Sequence, residues 1–409
     1  MEGGLITRSP SVQVLVILQQ RPHPNRQHDL TRSGPKRVAL VSDWCLPRQG
    51  GIEMHLLALA KNLQQQGIEP VIVTSFPGPP EIDGVPIDRI DCFRLPIVEL
   101  AASPQLVGKL RDSFAEGRYD TIHIHPSIVA PLCLAAVPAA RFLDLPIVVT
   151  FHSVMRKLPL LLSVIERATG WCKGRLILSA VSNLVAGQIR TAMPKVPVRV
   201  LPNGFEHGLW HAEGLRRAQG GGQLRLVSAL RLQPRKRCIA LVDAFAESAA
   251  EASSRRIDLT LTIAGDGPLR ARLEQRIAKT GLQDRILLAG WLSREELRSL
   301  YAESSLFVMP SLKEAFCIAA LEARAAGLPV LAMEGTGIAD FVHSGVSGIL
   351  VKNDMELAGE ITALAADPQR LQKLAMADPG LARYDWQALA AEHIALYRES
   401  HGFSSPSPP

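Results

Sequence analysis

Glu314 and Glu322 stand eight residues apart in the segment KEAFCIAALEARAAGLPV. On a helix rising about 1.5 Å per residue, that spacing separates two carboxylates by roughly 12 Å. The paired carboxylates of a glycosidase need roughly 5 to 9.5 Å, so this pair does not suit glycoside hydrolysis. It suits the two ends of one elongated ligand, with Glu314 holding sugar hydroxyls and Glu322 the diol of a ribose. A helix starting near Phe316 and ended by Gly327 and Pro329 would also offer free N–H groups and a partial positive charge to phosphate. Glu322 lies among Ile318, Ala319, Ala320, Leu321, Ala323, Ala325 and Ala326, so its helix reads as buried. A buried carboxylate needs partners.

Arg231 and Lys236 lie in ALRLQPRKR. They follow the apolar run Leu224–Leu230, and Pro234 interrupts any regular continuation. A guanidinium fork and a compact ammonium together suit a diphosphate whose charge must be neutralised before it can leave. Taken alone, the two read equally as a solvated basic loop, with Arg235 and Arg237 as bystanders. Gly265-Asp266-Gly267-Pro268 follows the run Leu259–Ala264. Its glycines permit positive φ and close backbone approach to a ligand, or make a plain turn into a helix. No G-x-G-x-x-G fingerprint occurs, which argues against a dinucleotide-dependent dehydrogenase.

These residues need strands to position them. Short apolar runs at 37–42, 70–74, 120–125, 146–150, 176–181 and 198–201 alternate with helical stretches. The pattern restarts at 224–230 and continues at 257–264, 286–288, 306–309, 329–332 and 348–351, with helical stretches between. Near-continuous apolar strands separated by helices predict parallel sheets covered on both faces. The fold class is therefore α/β, with two Rossmann-like doubly wound parallel-sheet domains facing a cleft. The expected divisions are a disordered extension over 1–35, a first domain over 36–204 and a second over 205–378. A C-terminal helix over 379–400 and a disordered tail over 401–409 follow. Glu213–Gly222 reads as a linker.

Net charge is +6 without a dense Lys/Arg run, and aromatic content is 5%, so no nucleic-acid partner is expected. Six cysteines without C-x-x-C or metal-ligand spacing point to a reducing cytoplasm. No stretch reaches the roughly 18 to 20 apolar residues of a spanning helix. Met155–Trp171, apolar and flanked by Arg156 and Lys173, reads either as a core helix or as a membrane-surface helix that presents a lipid-linked acceptor. The expected location is cytoplasmic, at the cytoplasmic face of the membrane if that helix binds lipid. His123 and His125 share a strand face, which would suit a metal. No third ligand is evident, so a structural role is expected.

Six elements in order resemble glycosyltransferase family 4, the retaining enzymes with the two-domain GT-B fold. They are Gly50-Gly51-Ile52-Glu53, His152 in TFHS, Pro202-Asn203-Gly204, Arg231 to Lys236, the GDGP turn, and Glu314 to Glu322. The resemblance spans roughly residues 37–400. GGIEMH and EAFCIAALEA are similar to the phosphatidylinositol N-acetylglucosaminyltransferase branch of that family. The resemblance implies roles. Arg231 and Lys236 would hold a donor diphosphate, with Gly51, Gly265 and Gly267 close to the donor. Glu314 and His152 would face the transferred sugar, and Glu322 the ribose. Backbone amides at Phe316 and Cys317 would touch sugar and phosphates.

The resemblance also implies transfer without a bound metal, and the nucleoside-diphosphate sugar is a substrate, so no cofactor is expected. A UDP-sugar is favoured over a GDP-sugar, with a sugar, lipid-linked or glycolipid acceptor. The alternatives are a nucleotide-sugar epimerase and a catalytically silent protein that only binds nucleotide sugars. Two positions depart from the family pattern: Arg237 stands where glycine is frequent, and Asp340 replaces a longer acid.

Overall fold

The computed structural model describes residues 34–48, 50–94, 100–101, 103–154, 163–164, 166, 174–210, 223–376 and 380–402. The extension before residue 34, the linker at 213–222, most of Met155–Trp171 and the tail from 403 lie outside them.

The first domain runs β1 (Arg37–Val41), α1 (Gly51–Gln65), β2 (Glu69–Thr74), β3 (Glu81–Ile82) and β4 (Val85–Arg89). It continues through α2 (Leu106–Gly117), β5 (Thr121–Ile124), α3 (Pro131–Phe142), β6 (Ile147–Phe151), β7 (Leu176–Ala180), α4 (Asn183–Ala192) and β8 (Val198–Val200). Its sheet has the order β3-β4-β2-β1-β5-β6-β7-β8, parallel except for the β3–β4 pair. That edge hairpin, turning at Asp83-Gly84, was not among the expected strands. Helix α1 ends where Ile68 N–H reaches back to the Leu63 carbonyl over Gly67 in the left-handed region.

After α5 (His207–Trp210), the second domain runs β9 (Gln223–Ala229), α6 (Cys238–Ser254), β10 (Asp258–Ala264), α7 (Arg270–Thr280), β11 (Ile286–Gly290) and α8 (Arg294–Glu303). It ends with β12 (Leu306–Met309), α9 (Ile318–Ala325), β13 (Val330–Met333), β14 (Gly348–Val351), α10 (Asp354–Ala366) and α11 (Pro368–Met376). Its strands lie in the order β11-β10-β9-β12-β13-β14, so the order reverses beside β9. In such sheets ligands bind at that switch point, outside the strands' carboxyl ends. β12 and β13 are buried along their whole length, because helices cover both faces.

Helix α12 (Trp386–Ser400) belongs to the first domain by packing. Its Trp386, Leu389, Leu396 and Tyr397 share a buried cluster with Val38 and Leu40 of β1 and Leu56 and Leu59 of α1. The turn Pro202-Asn203-Gly204 lies under this helix. A side chain at Gly204 would meet the Trp386 ring at 2.4 Å, so only glycine lets the indole seat there.

Candidate active site

The carboxyl end of β9 leads into a loop that carries Arg231 and closes with a 3-10 turn over Pro234–Lys236. From that turn, Lys236 Nζ donates to Glu314 Oε1 at 2.6 Å. Glu314 is buried and sits on the loop after β12, the strand next to β9. Adjacent strands at the switch point therefore bring together a cation and a carboxylate that are 78 residues apart in sequence. Arg237 adopts φ 56°, which explains the frequent glycine there in the family. Its guanidinium is not a bystander. It bonds the Pro310 carbonyl at 3.0 Å and Asp354 Oδ2 at 2.6 Å, tying the β9 loop to the β12 loop.

The glycines of the GDGP turn are required by protein packing. A Cβ on Gly265 would lie 2.1 Å from the Leu230 carbonyl oxygen, and one on Gly267 would lie 2.6 Å from that of Leu232. Both have positive φ, at +125° and +156°. Leu232 N–H donates to the Asp266 carbonyl at 2.9 Å, so this turn buttresses the loop that carries Arg231 and Lys236. Gly337 does the same for Glu314. Its N–H donates to the Glu314 carbonyl at 2.8 Å, and a Cβ there would lie 1.9 Å from the Ala315 oxygen.

Helix α9 begins at Ile318, two residues later than expected. Phe316 precedes it as a buried core side chain, and Cys317 turns the chain at φ 76°. Glu314 thus sits off the helix, and the roughly 12 Å expectation, which assumed both carboxylates helical, does not apply. Burial pushes the Cys317 thiol up to about 12, so it stays neutral. Ala320 and Leu321 N–H donate back to the Cys317 carbonyl at 3.2 Å, so it is the N–H groups of Ile318 and Ala319 that open the helix without an intrahelical acceptor. One turn further on, Glu322 is buried, and its carboxyl is pushed up to about 8 by that burial. Arg294 counters the shift and Glu206 adds to it.

The second domain meets the first at the carboxyl ends of its strands. Asp340, after β13, accepts from the Asn183 N–H at 2.8 Å and its side-chain amide at 3.3 Å, at the start of α4 after β7. The shorter acid at this position therefore bridges the domains. Ala315, beside Glu314, packs against a core cluster of the first domain. On that side, His152 follows β6 and shares a hydrogen bond with His125, Nε2 to Nδ1, at 2.9 Å. Burial drives the His152 ring down to about 3, helped by nearby His393. Gly51 opens α1, and a Cβ there would have nothing within 4 Å, so this corner is open.

Sequence reading missed the company that His152 keeps. His55, from GGIEMH, is buried with its ring centroid 4.9 Å from that of His152 and 5.8 Å from that of His125. The third partner judged absent for the HIH pair therefore comes from α1, and it joins His125 rather than His123. His123 is held structurally, bonding the Tyr397 hydroxyl at 2.9 Å and Thr150 Oγ1 at 2.7 Å. With His393 of α12 the group holds five imidazoles, of which His55, His123, His125 and His393 are buried and His152 half-buried. The alternation of HIH signalled His123 and His125. No sequence spacing signals that α1 and α12 converge on them.

Comparison with known proteins matches this arrangement. Residues 49–209 match the model for Glycosyltransferase Family 4, and residues 217–378 match that for Glycosyl transferases group 1. Alpha-D-kanosaminyltransferase of Streptomyces kanamyceticus is 33% identical over 162 residues, 39% of this chain and 42% of that protein. A Homo sapiens phosphatidylinositol N-acetylglucosaminyltransferase polypeptide is 27% identical over 75% of this chain and 64% of its own length. In both cases the match spans less than two thirds of the relative. A GDP-mannose-dependent alpha-mannosyltransferase of Corynebacterium glutamicum is 25% identical over 89% of each chain. Among solved structures, Anabaena Alr3699/HepE in complex with UDP superposes with a TM-score of 0.69 at 22% identity, over 88% of this chain and 98% of that one, a likeness of fold. The chain belongs to the glycosyltransferases of the GT-B fold, with a Family 4 domain followed by a group 1 domain.

Proposed function

We propose that the protein transfers a hexose or N-acetylhexosamine, with retention, from a UDP-sugar to an acceptor hydroxyl in cell-surface glycan or glycolipid synthesis. The contact between Lys236 and Glu314 carries this reading. It sets a phosphate-binding cation against a sugar-binding carboxylate where the loops of the two domains meet. The diphosphate draws Lys236 off Glu314, and the freed carboxylate accepts from sugar hydroxyls. Arg231, Lys236 and the start of α9 stabilise the charge that grows on the leaving phosphate. The acceptor attacks from the face the diphosphate leaves, and a leaving-phosphate oxygen takes its proton. Transfer needs no bound metal.

His152, held by His125, faces the transferred sugar from the first domain, and Gly51 leaves room beside the diphosphate. Glu322 accepts from the ribose diol. Phe316 and Cys317 contribute their backbone amides. The UDP preference draws on the UDP held by HepE, and N-acetylglucosamine is the first sugar to try because of the Homo sapiens relative. The acceptor is a sugar or a lipid-linked or glycolipid hydroxyl, reached from the cytoplasmic face of a membrane. No described helix is long and apolar enough to cross one.

The test is a thermal-shift screen of UDP- and GDP-sugars, then turnover of the best donor. UDP-N-acetylglucosamine should raise the melting midpoint most, and Lys236→Ala should cost about 10² to 10³ in turnover. Stabilisation by GDP-mannose alone would overturn the donor assignment. An isomerised donor without acceptor would replace transfer by epimerisation.

A further inference from the structure

We propose that His55, His125 and His152 form a binding site for one divalent transition-metal ion, Zn²⁺ foremost, beneath the acceptor side of the cleft. Each ring offers a nitrogen, and the three nitrogens lie within 4.8 Å of one another. The rings are already spaced for the purpose. An ion about 2.0 to 2.1 Å from each nitrogen, in tetrahedral geometry, sets imidazole centroids roughly 5.2 Å apart. The centroids here stand 4.9, 5.8 and 5.2 Å apart.

A second observation points the same way. His55 is buried with neither ring nitrogen partnered. Buried polar atoms are ordinarily satisfied, and His55 has two that are not. Neutral imidazole without carboxylate or thiolate suits Zn²⁺, Cu²⁺, Ni²⁺ and Co²⁺ better than Mg²⁺ or Ca²⁺.

His125 and His152 now share one proton across 2.9 Å. Coordination through both of those nitrogens moves that proton to the far nitrogen of the donating ring, so none is lost. His152 is only half-buried, so its side of the ion is the one nearest solvent. A fourth ligand, water or an acceptor hydroxyl, enters there. An ion so seated occupies the His152 lone pair. If that ring serves the sugar as proposed above, metal binding and sugar contact exclude each other. The ion site itself does not depend on that reading.

The experiment is calorimetric titration of EDTA-treated, dialysed full-length protein with Zn²⁺, alongside Co²⁺ absorption spectroscopy. One Zn²⁺ per chain is expected. Affinity should fall at least about tenfold in His55→Asn and in His125→Asn, each checked for folding by circular dichroism. Co²⁺ bound to the wild type should show the intense visible bands of a tetrahedral nitrogen site, a result that needs no variant. Zn²⁺ binding unchanged in both variants would overturn the proposal. So would a hydrated six-coordinate Co²⁺ spectrum, or thiolate charge-transfer bands assigning the ion to cysteine.

Discussion

Lys236 Nζ and Glu314 Oε1 lie 2.6 Å apart, with their side chains 18% and 7% exposed. Removing one member of so enclosed a pair strands the other. Lys236→Met should cost about 2 kcal/mol of stability, below the 3 to 5 of a fully buried pair because the lysine keeps some water. Glu314→Gln should cost less, since the amide still accepts a hydrogen bond. A double-mutant cycle by urea unfolding checks this, and additive single effects would mean the pair is uncoupled.

Gly337 and Gly51 separate packing from ligand space. Gly337→Ala places a methyl 1.9 Å from the Ala315 oxygen and must push the Glu314 loop. It should destabilise by about 2 kcal/mol or more. Gly51→Ala meets nothing within 4 Å and should leave stability within about 0.5 kcal/mol. If that corner holds the diphosphate, the same change weakens UDP binding about tenfold or more. Melting curves with and without UDP read both effects.

The carboxyl of Glu322 supplies a pH signature. Its folded pKa, near 8, lies above its ordinary 4.5. Its contribution is therefore fully present below 4.5 and is lost as pH rises through 8. The full swing is on the order of 5 kcal/mol. Wild type should lose stability from about pH 5 to about pH 8 relative to Glu322→Gln and level off above that. Parallel pH profiles for the two proteins would contradict a buried, protonated Glu322.

The imidazole group acts in the opposite sense. Burial lowers His55, His123 and His125 well below 6.5, and takes His152 to about 3 and His393 to about 4. The stability they confer is present above 6.5 and is lost as pH falls toward about 4. His393→Leu removes one such ring. It should make the loss between about pH 7 and pH 5 shallower by ~1 to 2 kcal/mol in urea unfolding.

What the sequence made legible follows from which interactions are local. Apolar runs such as Leu306–Met309 announce buried parallel strands, and Arg231, Lys236, Glu314 and Glu322 stand out by type and spacing. Three features stayed hidden for physical reasons. The edge hairpin Glu81–Arg89 has one short, exposed strand and little apolar signal. The left-handed Cys317 turn carries no glycine to mark it. His55 and His393 reach the HIH strand only through the packing of α1 and α12, which no local pattern encodes. Gly265 and Gly267 were legible as special, yet the backbone they approach belongs to Leu230 and Leu232.

The central claim is that the β9 loop and the Glu314 loop form one pocket for a diphosphate attached to a nucleoside. Calorimetric titration of wild type and Lys236→Met with UDP and with uridine tests it most directly. The prediction is that the substitution weakens UDP by about 1.4 kcal/mol or more, a factor of ten, and leaves uridine unchanged. UDP affinity that is equal in the two proteins would place the phosphates elsewhere and contradict the account.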